Sequence, residues 1–513
     1  MNAPLRSRRR ASQPLALNLA HAPDEAARLA LAELALALAR EGGADYADIR
    51  LGATFSEYLR AREERLESVK SGEIWGFGLR VLRRGSWGFC GATTLTPEAI
   101  RRAVETALAN ARAVEPIQGA PIELEALPVV EDRWEMALSV DPFAVPVVKK
   151  ADLLLAVNAA ARDAGADFCT SQLTVAREER LFANSRGARI WQSRTRVWPE
   201  FQITAVDRSS GRFASRDSLI PPLGAGWDYV ESCGLLEDAR RGAEEARRKL
   251  HAKPVAPGKR DLVIEPSNLF LTIHETVGHS TELDRALGWE ANFAGTTFVK
   301  PHRLSNLRFG SELMTIFADR RQQGGLATIG YDDDGGPASF ADFNIVEKGV
   351  FKNFQMAIGQ AHYLGLPMTN GCAYADDLCA FPLQRMPNIS LKPNERTCSR
   401  DDLIAGVEEG LYVIGAGSWS IDQQRDNFQF GGQIFYEIKN GKLGEMVQGA
   451  AYEGRTLDFW SGLDGLGDAS TYELWGVFTC GKAEPIQLAP VSHGAPCARF
   501  RGVEVLNTDV GQK

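Results

Sequence analysis

Residues 261–279 read DLVIEPSNLFLTIHETVGH, and the way this stretch folds decides the organisation of the chain. Asp261 to Glu265 reads as a strand, and Ser267 begins a helix that runs through His274-Glu275-Thr276-Val277-Gly278-His279. Upstream, Lys253 to Lys259 contains Pro254, Pro257 and Gly258 and reads as a linker. Downstream of about Leu313 the texture becomes short strands punctuated by glycine. Asn440-Gly441, between Ile434 to Lys439 and Lys442 to Val447, is a hairpin signal because both residues accept the positive φ of a two-residue turn. The second half is therefore expected to be mainly β, with one early helix.

The first half has a different pattern. Asp24 to Glu41 carries leucines at 29, 31, 34, 36 and 38 and stops at Gly42-Gly43, as a capped helix does. Trp75 to Ala92 reads as two strands turning near Gly85-Ser86, and Thr96-Pro97-Glu98 opens another helix. A second series follows: a helix from about Ala151 to Asp163, strands from about Thr170 to Val206 turning at Asn184 to Gly187, and a helix from about Leu235 to Leu250. Ala61-Arg62-Glu63-Glu64-Arg65-Leu66 recurs letter for letter at Ala176 to Leu181, and Ile-Trp and Arg-Val follow each copy. This suggests a duplicated helix, strands, helix unit. The expected fold class is α+β: an N-terminal α/β domain with a suspected internal repeat, and a mainly β C-terminal domain with a metal-binding helix. The expected divisions are a disordered tail at 1–22, the first domain at 23–253 and the second at 259–513.

Composition narrows the function. The 513 residues are 44% hydrophobic and 24% charged, enough apolar material for two or three folded domains. The net charge of −8 is spread along the chain with no long basic run, which argues against a nucleic-acid partner. No stretch approaches the roughly 18 apolar residues that span a bilayer, so no membrane is expected. Eight cysteines without a CxxC pair indicate a reducing compartment, hence a cytoplasmic location. The arginines at 6, 8, 9 and 10 resemble a twin-arginine signal, but Ser12, Gln13, Pro14 and Asn18 interrupt the apolar core such a signal requires.

Chemistry concentrates at His274, Glu275 and His279. Neutral imidazoles bind zinc, and an adjacent carboxylate that is not a ligand can take a proton from the water that the metal activates. The spacing is unusual: at about 100° per residue, histidines five apart sit about 140° apart on an α-helix, against about 40° for a spacing of four. A π-type bulge between His274 and His279 would realign them, and Gly278 eases such a distortion. Two histidines leave a catalytic zinc one protein ligand short. Glu282 and Asp284 stand nearby, and His302, His362, His493 and the cysteines are more distant candidates. Among the cysteines Cys480 stands out, because it lies between Thr479 and Gly481-Lys482 in a turn-like setting rather than inside an apolar run.

HETVGH, followed by Glu282 and Asp284, resembles the HExxxH signature of the TldD/PmbA metallopeptidases. Residues 329–335 (IGYDDDG), 367–371 (PMTNG), 385–388 (RMPN) and 478–482 (FTCGK) are similar to later blocks of that family. The resemblance implies zinc on His274, His279 and Cys480 with Glu275 as catalytic base. It also implies dimers enclosing the active sites, formed either with an identical chain or with a PmbA/TldE-like relative, and peptide substrates that are unfolded or small. The intact motif points to the catalytic, TldD-like type. Ser280 and Leu283 depart from the pattern, standing where glycine is expected.

The function expected is thus zinc-dependent peptide hydrolysis, with the peptide held as an added strand on a sheet edge. The alternative from another class is a non-catalytic assembly subunit with a structural metal, which requires four protein ligands rather than three. Asp332-Asp333-Asp334-Gly335-Gly336 lacks the ligand spacing of a calcium loop and reads as a solvated turn. Gly415-Ala416-Gly417 and Gly431-Gly432 lack a phosphate-loop pattern and read as strand turns.

Overall fold

The computed structural model describes residues 23–508, and its fold is α+β. The segment 1–22, read above as a disordered tail, lies outside the described residues.

The first series of elements is α1 (Glu25–Glu41), β1 (Tyr46–Arg62), β2 (Arg65–Arg83), β3 (Ser86–Ala92) and α2 (Pro97–Val114). Asp24 caps α1 by accepting the Ala27 N–H at 2.7 Å, and Thr96 caps α2 ahead of Pro97. Next come β4 (Glu131–Glu135), α3 (Val147–Asp163), β5 (Phe168–Asn184), β6 (Arg189–Asp207), β7 (Arg212–Asp217), the short α4 (Trp227–Ser232) and α5 (Leu235–Leu250). One sheet runs β3-β2-β1-β5-β6-β4, with β7 also on β6. Helices α1 and α2 share a core with β1 and β2, while α3 and α5 pack against β5 and β6. The order helix, three antiparallel strands, helix therefore occurs twice, and the two series meet where β1 pairs antiparallel with β5.

The letter match is not what relates the two series. Ala61 to Leu66 spans the β1–β2 turn, whereas Ala176 to Leu181 lies inside β5, opposite Ser56 to Leu51 of β1. The identical letters occupy non-equivalent places, because alternating charged and apolar residues suit any half-buried strand.

In the second half, strands Gly258–Ile264, Glu409–Ile421, Asn427–Lys439, Ala450–Arg455 and Ala498–Asn507 pair in a closed circuit. Such a barrel leaves no open edge among these members. The hairpin at Asn440-Gly441 forms with φ of 50° and 74°. Helix α6 (Pro266–Ile273) follows the first barrel strand and is buried on every side, its polar Ser267, Asn268 and Thr272 each hydrogen-bonded. Asn268 Nδ2 donates to the Gly415 and Gly431 carbonyls at 2.9 Å each, and the Thr272 hydroxyl meets that of Tyr452 at 2.8 Å.

The acidic triplet is not a solvated turn. Asp332, Asp333 and Asp334 are 1%, 6% and 1% exposed, and each carboxylate has its own buried partners. Asp332 accepts the N–H groups of Asp334, Gly336 and Ala373. Asp333 takes Arg180 at 2.5 Å, and Asp334 takes Arg80 at 2.8 Å; Arg80 is also bound by Asp48. These ion pairs tie the second half to β2 and β5, which is why three carboxylates can be buried together.

Candidate metal centre

The chain leaves α-helical geometry at the histidine motif. Residues His274–Gly278 form a π-helical turn closed by the His279 N–H on the His274 carbonyl, and His279–Thr281 continue as a 3₁₀ turn. The wider turn absorbs the extra residue of the five-residue spacing, bringing the imidazole centroids to 4.7 Å with the rings 80° apart. Local side chains satisfy the carbonyls around it. Ser280 Oγ donates to Thr276 O at 2.5 Å, Thr281 Oγ1 to Val277 O at 2.8 Å and Gln355 Nε2 to Gly278 O at 2.6 Å. Ser280 therefore uses its hydroxyl where glycine was expected. Gly278 has an ordinary φ of −54°, and its role is steric, since a Cβ there would stand 2.6 Å from Met386 Sδ.

His274, His279 and Cys480 are all buried, and one donor atom from each lies within 4.8 Å of the others. Cys480 is inside strand Glu473–Lys482, paired with Gln487–Ala495, rather than in a turn. A register shift between Val477 and Cys480 bulges this strand beside the thiol. Cys480 Sγ stands 3.6 Å from His279 Nε2.

Hydrogen bonds assign the tautomers. The Ile389 carbonyl can only accept, so His493 Nδ1, 3.0 Å away, carries a proton and its Nε2 is left as an acceptor. That acceptor meets His274 Nδ1 at 2.7 Å, so His274 donates there and keeps the Nε2 lone pair free. His279 Nδ1 donates to Glu282 Oε2 at 3.0 Å, which likewise leaves its Nε2 lone pair facing Cys480. Burial holds all three histidines below their usual pKa, His493 furthest, with His274 adding to the effect there. Burial pushes the Cys480 thiol up, but Arg385 and His279 outweigh it and the net shift is downward. Two neutral imidazoles and a thiol disposed to ionise form a zinc-type donor set.

Glu275 is buried beside this cluster but is not part of it, and its Oε2 accepts from Arg425 Nη1 at 2.8 Å. Arg425 holds a left-handed φ of 62° in a turn organised by Asp422, which accepts the N–H groups of Gln424, Asp426 and Asn427. Such a conformation is strained for arginine and persists because the surroundings fix it.

Glu282 and Asp284, considered above as ligands, are not among the converging donor atoms and stand behind them. Glu282 bonds His279, Arg285 and Lys482, and Asp284 bonds Lys482 at 2.8 Å. Burial raises the Glu282 pKa, yet Lys482, His279 and Arg285 together bring it well below the carboxylate range. His302 and His362 are exposed and stand outside the cluster. His493 lies one bond behind His274. Sequence reasoning missed Arg425 and the bonding roles of His493 and Lys482. Only the Lys482 neighbourhood of Cys480 carried any signal.

Comparisons with known proteins agree over most of the chain. Residues 47–111, 140–252 and 257–507 match, in turn, PmbA/TldA metallopeptidase domain 1, the central domain and the C-terminal domain. A metalloprotease of Methanothermobacter thermautotrophicus is 31% identical over 469 residues, covering 91% of this chain and 97% of that protein. Two solved structures share the fold. A Thermotoga maritima protein described as a proposed modulator of a DNA gyrase superposes with a TM-score of 0.73 at 18% identity, covering 93% of this chain and 100% of the other. TldE from Thermococcus kodakarensis superposes with a TM-score of 0.70 at 15% identity, covering 93% and 99%.

Proposed function

Because the chain belongs to the PmbA/TldD metallopeptidase family, we propose that it is a zinc-dependent peptidase acting on unfolded or small peptides. His274, His279 and Cys480 would hold the ion, and Glu275 would be the catalytic base. The observation that carries this reading is the convergence of three donor atoms within 4.8 Å, with a carboxylate beside them that is not a donor. Three protein donors rather than four leave a coordination position open, which favours catalysis over a structural metal.

When bound, the ion supplies a Lewis acid that acidifies water and polarises a scissile carbonyl. The remaining chemistry belongs to side chains of this chain. Arg425 fixes one oxygen of Glu275, so the other is free to take the proton of the attacking water and pass it to the leaving amine. The Arg425 Nε–H is buried without a partner among the described residues, which gives it a hydrogen bond to offer an incoming peptide carbonyl. His493 and Glu282 hold the two imidazoles in ligand tautomers. His274 and Glu275 are 4% and 3% exposed, so a folded protein surface cannot reach them, and the substrate in this reading is an unfolded or small peptide.

Pairing with an identical chain or a TldE-like relative belongs to the same proposal, as does an extended peptide added to a strand edge. Among the described residues no helix is long and apolar enough to cross a membrane. The eight free cysteines support a reducing, cytoplasmic setting. The test is Glu275→Gln, expected to retain zinc and fold while losing cleavage of an unfolded peptide. Cleavage at the wild-type rate would remove Glu275 from the mechanism.

A further inference from the structure

A cavity of about 530 Å³ opens on the N-terminal half, between α1, β4 and the β5–β6 face, and is lined by residues the hydrolytic reading does not use. Four arginines line it. Arg133 is bound by Glu25 and Glu135, Arg177 by Asp141, and Arg180 by Glu178 and Asp333. Arg28 is the exception. It is 7% exposed, its guanidinium lies against Trp75 at 5.4 Å and Trp191 at 4.8 Å, and its Nε is buried with no acceptor among the described residues.

A buried guanidinium without an acceptor is unusual, since burying an unpaired charge is expensive. The indole faces compensate for part of that loss, but they contact the π surface of the guanidinium and leave the in-plane Nε–H unsatisfied, with no protein acceptor among the described residues on the Nη groups beside it. Those groups form a planar fork matched to a carboxylate. The same cavity contains one carboxylate in the complementary condition. Glu179 lines it, half-buried, and is in no ion pair among the described residues, with Arg28 or any other cation. Arg28 and Glu179 thus attract each other across the chamber without a direct ion pair, while the other lining charges are neutralised by contact.

We infer that this cavity binds a zwitterion, a free amino acid or short peptide, with its α-carboxylate on Arg28 and its α-ammonium on Glu179. The ligand would give each of these two charges the direct hydrogen-bonded partner it lacks. Its volume admits a di- or tripeptide, whereas a longer segment would have to leave one terminus outside and forgo one of the two ion pairs. The site selects for free ends, which the products of peptide hydrolysis possess, but the inference does not need hydrolysis and stands whether or not the metal centre is catalytic.

The test uses the full chain and L-alanyl-L-alanine as probe, titrated calorimetrically in the Glu275→Gln background so that no turnover intervenes. The dipeptide is expected to bind, and capping it as the C-terminal amide or as the N-acetyl derivative is expected to weaken binding at least tenfold in each case. Arg28→Gln should abolish the preference for the free carboxylate while keeping that for the free amine, and Glu179→Gln should do the reverse. If Arg28→Gln does not fold, the half-exposed Glu179 variant decides alone. The inference is overturned if no binding occurs at millimolar dipeptide, if the capped forms bind as well as the free one, or if the variants bind and discriminate within twofold of the parent.

Discussion

His493 offers a way to test the centre without touching a donor or the base. Replacing it with phenylalanine keeps an aromatic ring, one atom larger, at a position that is 0% exposed while removing both ring nitrogens. Two hydrogen bonds disappear, from His274 Nδ1 at 2.7 Å and to the Ile389 carbonyl at 3.0 Å. His274 Nδ1–H then has no acceptor in a dry site, and a buried polar group left unpaired costs about 1–3 kcal/mol. Losing the partner that orients a metal-binding histidine typically weakens metal affinity about 10- to 100-fold. At about 1.4 kcal/mol per tenfold this corresponds to about 1.4–2.8 kcal/mol, so the two estimates agree. The assay is competition for zinc against a chromophoric chelator at pH 7.5. His493→Phe should bind zinc 10- to 100-fold more weakly with an unchanged far-UV spectrum, and His493→Gln, whose amide oxygen can still accept from His274, should recover part of the loss. Zinc affinity within threefold of wild type for the phenylalanine variant would refute the tautomer argument.

Arg425→Gln should lower kcat about 10²- to 10³-fold at unchanged zinc content, with Arg425→Lys recovering part; steady-state kinetics beside metal analysis decides it, and an unchanged kcat would count against its role. Asp333→Ala removes the carboxylate that takes Arg180 and should destabilise the fold by about 3–5 kcal/mol in urea titrations, whereas a solvated turn would change it by about 0.5 kcal/mol or less. Glu200 is pushed up to about 7 by burial, with Asp217 adding and a Gln172 hydrogen bond opposing. Its folded pKa exceeds its unfolded value, so the folded state holds the proton longer and stability falls as pH rises from the ordinary glutamate range to 7. Glu200→Gln should therefore stabilise the protein at pH 8, by at most about 3 kcal/mol, and give no gain near pH 4 in thermal melts.

Much of the centre was legible because its chemistry is local. The five-residue spacing of His274 and His279 is incompatible with a straight α-helix, so the sequence demanded the π turn found at His274–Gly278. The helix from Leu235 to Leu250 and the Asn440-Gly441 hairpin were equally readable, since propensity, caps and turn geometry lie within a few residues. What sequence could not supply was long-range partnership. His493 reaches His274 across 219 positions and Arg425 reaches Glu275 across 150, and nothing near either residue advertises the contact. The acidic triplet misled for the same reason: three adjacent aspartates read as solvated until Arg80 and Arg180, brought by β2 and β5, neutralise two of them. The Ala-Arg-Glu-Glu-Arg-Leu match misled in the opposite direction, because identical letters suited a turn in one place and a strand interior in the other.

The most direct measurement is anomalous X-ray scattering at the zinc edge from crystals of the purified full chain. A single peak should lie within bonding distance of His274 Nε2, His279 Nε2 and Cys480 Sγ, with no fourth protein ligand and with its open side towards Glu275. Absence of the peak, or a fourth side chain closing that side, would contradict the peptidase reading.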